Sequence, residues 1–475
     1  MRNIATQITM LLRSKIYRAT SSTFCTKSVT LETGKKKEKA ETLYKRLSAF
    51  RETDGDITDT LDNWVSQGNY VKRFDIVGYV NLLRKLKKYQ QANQVYEWLE
   101  KTSNKMNNSD RAIRIDLLAK TEGLESAEKY FDNLQGTAKT KKTYGALLNC
   151  YCKEKNLEKA SNLFERMKEL RLSSTLNYNN MMSLYLNLDK PEKVSLLAEE
   201  MEGENIIFDL YTYNQIMNSY ASLKNFEAVE GVIEKMNKNK VRCDWFTFGN
   251  LAKIYTNAGL FKKANATLAN LEKLENLHDR EAFHILITLY AQTSNLDGVN
   301  RSWDSLKLVY EKPSNASYLV VLLALSKLGE VDALEKHYRQ WESDRSHYDV
   351  RVSNVILESY LKRDMTEDAQ QIFEDIVQSG AEPNTRTFES LTSYYIKQGN
   401  IDIALKYLEM GASKANSMKH KVFPNDETIR MFLQHFEEEN DLDNVKKFCT
   451  CMKMIDRLDP TVYDSLLCAS VSAVK

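Results

Sequence analysis

Residues 210–244 read LYTYNQIMNSYASLKNFEAVEGVIEKMNKNKVRCD and divide into two amphipathic halves. Tyr213, Ile216, Met217 and Tyr220 recur at steps of three and four, so they share one helical face. Val229, Val232, Ile233 and Met236 do the same in the second half. Leu223-Lys224-Asn225 between them leaves room only for a tight turn, which makes the two helices antiparallel neighbours. Such a hairpin has apolar residues on both sides and cannot bury them alone.

Copies of the hairpin fill most of the chain. Tyr220 recurs as Tyr151, Tyr185, Tyr255, Tyr290, Tyr360 and Tyr395, with Leu325 in the remaining place, at steps of 34 or 35 residues. Met167, Met201, Met236, Leu271, Leu306, Trp341 and Ile376 keep the same interval in the second helix. So do the small or branched residues Ala160, Val194, Val229, Ala264, Val299, Leu334, Ala369 and Ala404. A fixed period of this length predicts an all-α fold, a right-handed α-solenoid of antiparallel helix-turn-helix repeats of about 35 residues.

The expected organisation runs outward from that period. Residues 1–35 read as a transit peptide and 36–75 as a linker with N-terminal capping helices. Residues 76–459 hold about ten to eleven hairpins, and 460–475 a C-terminal capping helix. Regular units fall at 141–174, 175–209, 210–244, 245–279, 280–314, 315–349 and 350–384, and the next carries an insertion at 413–422.

The first 31 residues contain Arg2, Arg13, Lys15, Arg18 and Lys27 and no acid. Ile4, Ile8, Leu11, Leu12 and Ile16 form an apolar stripe along them, the pattern of a mitochondrial import segment. Formal net charge is +2, and removing those five basic residues leaves about −3, so any polyanion must be bound by local arrangement. No run is long and apolar enough for a membrane span. The seven Cys form no disulfide framework; Cys150/Cys152 and Cys449/Cys451 are two apart on helices, where they cannot share a metal.

The sequence resembles the pentatricopeptide repeat family. The resemblance rests on Thr212-Tyr213-Asn214, on residues 144–153 (YGALLNCYCK), and on Ala160, Phe164 and Met167. Ala369-Gln370-Gln371-Ile372-Phe373 and the exit Gly380-Ala381-Glu382-Pro383-Asn384 belong to the same pattern. The uniform units look like the P-type branch. Leu43-Tyr44-Lys45-Arg46-Leu47 and Asn63-Trp64-Val65 look like a compact plant mitochondrial subgroup.

That resemblance implies binding of single-stranded organellar RNA, one base per repeat. The fifth and last residues of a repeat would read the base edge: Asn179 with Asp209, Asn214 with Asp244, and Asn354 with Asn384. The first two are the family's pair for uridine, and the third suits a pyrimidine. Second-position residues Leu176, Tyr211 and Phe246 would stack on bases, and Lys153, Lys327, Lys362 and Lys397 would meet phosphates. Arg351 and Arg386 stand where apolar residues would flank the third pair. Gly145/Ser174, Gly249/Asp279, His284/Ser314, Leu319/Asp349 and Glu389 match no pair of the family's code. Asn is also a good helix cap, an alternative role for these positions.

Phosphate-binding Gly loops, nucleophile elbows and zinc-deaminase motifs are absent from the sequence, so no catalytic group, metal, cofactor or small-molecule substrate is expected. Two functions remain open. One is a non-catalytic mitochondrial RNA-binding protein acting in transcript processing, stability or translation, alone or with RNA-processing proteins. The other is an interaction scaffold, such as a peripheral component of the mitochondrial ribosome.

Overall fold

The computed structural model describes residues 42–49, 56–102, 106–275, 277–417, 423–439 and 441–457. The expected transit peptide at 1–35 and closing helix at 460–475 lie outside the described residues. Among the described residues there are 24 α-helices and no strand. They group into two compact units, residues 1–133 and 134–475.

In the first unit, helices Leu43–Ala49 and Ile57–Ser66 bury Leu43, Leu47, Ile57 and Leu61 in one cluster with Ile76, Val80, Val95 and Tyr96. The first repeat helix spans Arg73–Lys85, so it starts three residues before Ile76, where the sequence reading opens the array. The reason is that its opening turn puts no side chain into the core: Arg73 pairs with Asp110 at 2.8 Å, and Phe74 points to solvent. Apolar periodicity begins only at Ile76. Helix Asn108–Thr121 starts on a capping box between Asn107 and Asp110.

In the second unit the first helices of successive hairpins begin at Lys141, Thr175, Leu210, Trp245, Arg280, Asn315, Val350 and Thr385. Every member of the Met167 column and of the Ala160 column is fully buried. The tyrosine ladder is less uniform: Tyr151, Tyr255, Tyr290 and Tyr360 are buried, whereas Tyr185, Tyr220 and Tyr395 are half-buried. Residues 413–417 of the expected insertion lengthen the second helix of their hairpin, Ile401–Ser417, to 17 residues.

The eight hairpins between Lys141 and Ser417 each turn through one left-handed residue. Lys155, Asp189, Lys224, Ser294 and Asp364 take positive φ at the place where Gly259, Gly329 and Gly399 stand in other repeats. At Lys224 the turn closes as a Schellman motif, with Asn225 N–H donating to Tyr220 C=O at 2.9 Å. Asn225 then caps the second helix by accepting from Ala228 N–H at 3.0 Å.

Gly298 shows how tightly the hairpins close. It is buried on helix Leu296–Val309, and a Cβ there would clash with the ring carbons of Tyr290. Gly298→Ala is therefore expected to destabilise the unit by about 1–3 kcal/mol, although alanine is the better helix former. Thermal unfolding followed by circular dichroism measures this; a raised melting temperature would contradict the packing described.

Candidate functional site

Consecutive first helices of the second unit are clasped by side chains from two places in the repeat. The fifth residue of one repeat bonds to the third residue of the next. Thr212 Oγ1 lies 2.8 Å from Asn179 Oδ1, and Thr387 Oγ1 lies 2.8 Å from Asn354 Oδ1. Asn214 Nδ2 donates to Thr247 Oγ1 at 3.0 Å. His284 Nε2 meets Ser317 Oγ at 3.0 Å, and Thr428 Oγ1 donates to Glu389 Oε1 at 2.6 Å.

The pairing follows polarity. Gly249 and Leu319, which have no polar side chain, are followed at the same interval by the buried apolar residues Ala282 and Val352. At Gly145 the space of a missing side chain is approached by Asn177 Nδ2. His284 and Glu389, set apart by sequence as outside the family's code, thus do the same packing work as the asparagines. Burial raises the pKa of Glu389, and bonds from Thr428 and the Asn425 N–H oppose that rise. The third-position hydroxyls were missed from sequence, although Thr143, Thr212, Thr247, Ser317, Thr387 and Thr428 recur in phase.

Helix capping falls to the other half of each sequence pair. Asp209 accepts from Thr212 N–H at 2.8 Å, Asp244 from Thr247 N–H at 2.8 Å, and Asn384 from Thr387 N–H at 3.1 Å. The reading of Asn179, Asn214 and Asn354 as caps is therefore replaced by a clasp between repeats. Exposure divides the same way: Asn179 and Asn214 are only 2% and 3% exposed, whereas Asp209 and Asp244 stand open.

The structure brings two expected pairs into direct contact. Asn179 Nδ2 reaches the Asp209 carboxylate at 3.1 and 3.3 Å, and Asn354 Nδ2 reaches Asn384 Oδ1 at 3.1 Å. Asn214 and Asp244 meet only through Thr247, whose hydroxyl is 2.7 Å from Asp244 Oδ1.

Among the second-position residues, Leu176 is exposed and Tyr211 and Phe246 are half-buried. The Tyr211 hydroxyl is held by Ser183 at 2.8 Å and by Gln215 Nε2 at 3.0 Å, which fixes the ring's direction. Phe246 stands edge-on to Trp245, centroids 6.0 Å apart. Arg351 is spent on Asp349, and Arg386 makes a bidentate pair with Glu358 at 2.6 and 2.8 Å.

Lys153, Lys327, Lys362 and Lys397 are exposed at the C-terminal ends of their first helices. One cation escaped the sequence reading. Lys253 lies two helical turns beyond Phe246 on the same face, is half-buried, and burial lowers its pKa below the ordinary lysine value. Its signal was the interval of seven from Phe246.

No group of three or more metal-ligating side chains occurs among the described residues, and no described helix is long and apolar enough to cross a membrane. Cys152 and Cys451 are buried thiols that burial pushes up to about 12 and about 11, the opposite of a reactive thiolate.

The profile described as PPR repeat matches residues 142–172, 177–206 and 352–380, and that of the pentatricopeptide repeat domain matches 196–258. A mitochondrial pentatricopeptide repeat-containing protein of Arabidopsis thaliana is 37% identical over 91% of this chain and 81% of its own length. A second from that plant is 36% identical, covering 93% and 88%. The Arabidopsis thaliana protein named large ribosomal subunit protein mL101 is 34% identical, covering 93% and 90%. Among solved structures, maize PPR10 in complex with an 18-nt psaJ RNA element aligns at a TM-score of 0.47 with 13% identity, over 88% of this chain and 64% of that one. Mitochondrial location, expected from the acid-free start, is the location in the names of the first two relatives. Identity of 37% along 91% of the chain accounts for the in-phase hairpins and their buried columns: the chain belongs to the pentatricopeptide repeat family.

Proposed function

We propose that the chain is a non-catalytic mitochondrial RNA-binding protein. It holds a short single-stranded segment of an organellar transcript and so guides that transcript's processing, stability or translation. The observation that carries this reading is the alternation of two exposed carboxylates, Asp209 and Asp244, with Leu176, Tyr211 and Phe246 at one-repeat spacing. Apolar and aromatic side chains at that interval give bases something to stack on, worth about 1–3 kcal/mol per base. A carboxylate between them accepts the imide N–H of uridine, directly or through water. Asn179 offers a uridine carbonyl the N–H that Asp209 does not need. Lys253, with Lys153, Lys327, Lys362 and Lys397, supplies charge for phosphates, and Asn354/Asn384 suits a pyrimidine.

A second reading, an interaction scaffold at the mitochondrial ribosome, is favoured by the later repeats. Arg351 and Arg386 are committed to acids there, and a relative carries a ribosomal name. Selection from random single-stranded RNA separates the two. Wild type should enrich adjacent uridines. Asp209→Asn combined with Asp244→Asn should weaken that preference while the protein stays folded, because Asn caps helices as well as Asp does. Identical motifs from both proteins, or no uridine preference at all, would favour the scaffold.

A further inference from the structure

The two uridine-type repeats are alike in sequence but not in hydrogen bonding. In Asn179 and Asn354 the amide oxygen faces the hydroxyl of the next repeat, Thr212 or Thr387, and the amide nitrogen faces the repeat-end residue. In Asn214 the amide is reversed. Its Nδ2 lies 2.7 Å from the Leu210 carbonyl and 3.0 Å from Thr247 Oγ1, and its Oδ1 accepts from Asn250 Nδ2 at 3.0 Å. The Leu210 carbonyl can only accept, so the atom beside it must be the nitrogen.

Asn250 is what differs between the two seams. The same place in the preceding repeat holds Gln215, which is one methylene longer and reaches past Asn179 to Ser183 and Tyr211. After Asn354 that place holds Ser390, which bonds Glu358 and the Arg386 carbonyl instead. Only the Asn214 seam, among these three, has a side chain at that place that donates to the amide oxygen; in the other two the oxygen takes its bond from the threonine hydroxyl. Asn250 is itself buried, so this bond is shielded from water.

We propose that Asn250 is a specificity-determining residue, which holds Asn214 reversed and makes repeat 210–244 a weaker reader of uridine than repeat 175–209. This rests on the RNA-binding reading above. With both N–H groups of Asn214 engaged by Leu210 and Thr247, the repeat presents acceptors only, chiefly Asp244. Acceptors alone suit the N3–H of uridine and the N4–H of cytidine equally. Repeat 175–209 keeps an amide donor beside a carboxylate, and that order of donor and acceptor fits uridine and opposes cytidine. Asn250 thus acts as a positioning residue on a neighbouring base-reading side chain.

The test uses the full chain and short adenosine-tract RNAs carrying one adjacent uridine pair, with cytidine substituted at either member. For wild type, cytidine opposite repeat 175–209 should weaken binding about fivefold, the equivalent of one net hydrogen bond. Cytidine opposite repeat 210–244 should change it less than about twofold. Asn250→Ala and Asn250→Gln should both raise the second discrimination to about fivefold and leave the first alone. General loss of structure would weaken every RNA alike, which separates a folding defect from a change of specificity. Equal discrimination at both positions in wild type, or no response at the second position in either folded variant, overturns the proposal while leaving uridine reading intact. Absence of any uridine preference overturns the uridine reading itself, and the proposal with it.

Discussion

Trp303→Ala is expected to destabilise the second unit by about 3–5 kcal/mol. The indole is 2% exposed on helix Leu296–Val309 and packs across the repeat boundary. Its ring stands 5.2 Å from Tyr318 and 5.6 Å from His337, centroid to centroid. Truncation would therefore open a cavity between hairpins as well as within one. In an array held by nearest-neighbour contacts, damage at a boundary uncouples what lies on either side. Urea denaturation followed by circular dichroism should show an earlier transition, and hydrogen exchange should rise first around residues 280–349. A loss below about 1 kcal/mol would mean that neighbouring hairpins do not depend on this contact.

Tyr211→Ala is expected to weaken RNA binding by roughly thirtyfold for every sequence, at the middle of the stacking range. Stacking does not read base identity, so the preferred motif should keep its letters while all affinities fall. The Ser183 and Gln215 bonds to the tyrosine hydroxyl sharpen this expectation. Tyr211→Phe keeps the ring but releases it from those bonds, and should lose much less than alanine does. Titration of labelled RNA by fluorescence anisotropy measures both. A drop confined to uridine-containing RNA would assign Tyr211 a reading role instead.

The fold was legible because its signal is repeated. Met167, Met201, Met236, Leu271, Leu306, Trp341 and Ile376 are of four residue types, yet their common interval exposes a column that is fully buried. Helix starts were legible where the 34- or 35-residue interval carries them, even at the charged opening Lys141-Lys142. They slipped by three residues at Arg73, outside the regular units. The left-handed turns were half hidden, since Lys155, Asp189, Lys224, Ser294 and Asp364 adopt a conformation that sequence reading assigns to glycine.

The candidate site was legible as residue identities and not as bonds. Sequence placed Asn179, Asn214 and Asn354 together as one kind of position, and the chain gives Asn214 an orientation of its own because of Asn250, 36 residues away. The clasp between the fifth and third positions was also hidden, because a single-repeat reading never compares Asn179 with Thr212 or His284 with Ser317. Polarity at those paired places changes together along the array: hydroxyls follow Asn, His and Glu, and apolar residues follow Gly249 and Leu319. A periodic sequence therefore carries more of the seam than a motif scan extracts from it.

RNA bound as proposed lies along the face bearing Leu176, Tyr211 and Phe246. The most direct measurement is photocrosslinking of the full chain to RNA containing thio-substituted uridine, followed by mapping of the crosslinked peptides. Crosslinks should concentrate in first helices 175–187, 210–222 and 245–257, centre on Tyr211 and Phe246, and diminish in competition with uridine-rich RNA. Crosslinks on the second helices, or the absence of crosslinks from those three first helices, would contradict it.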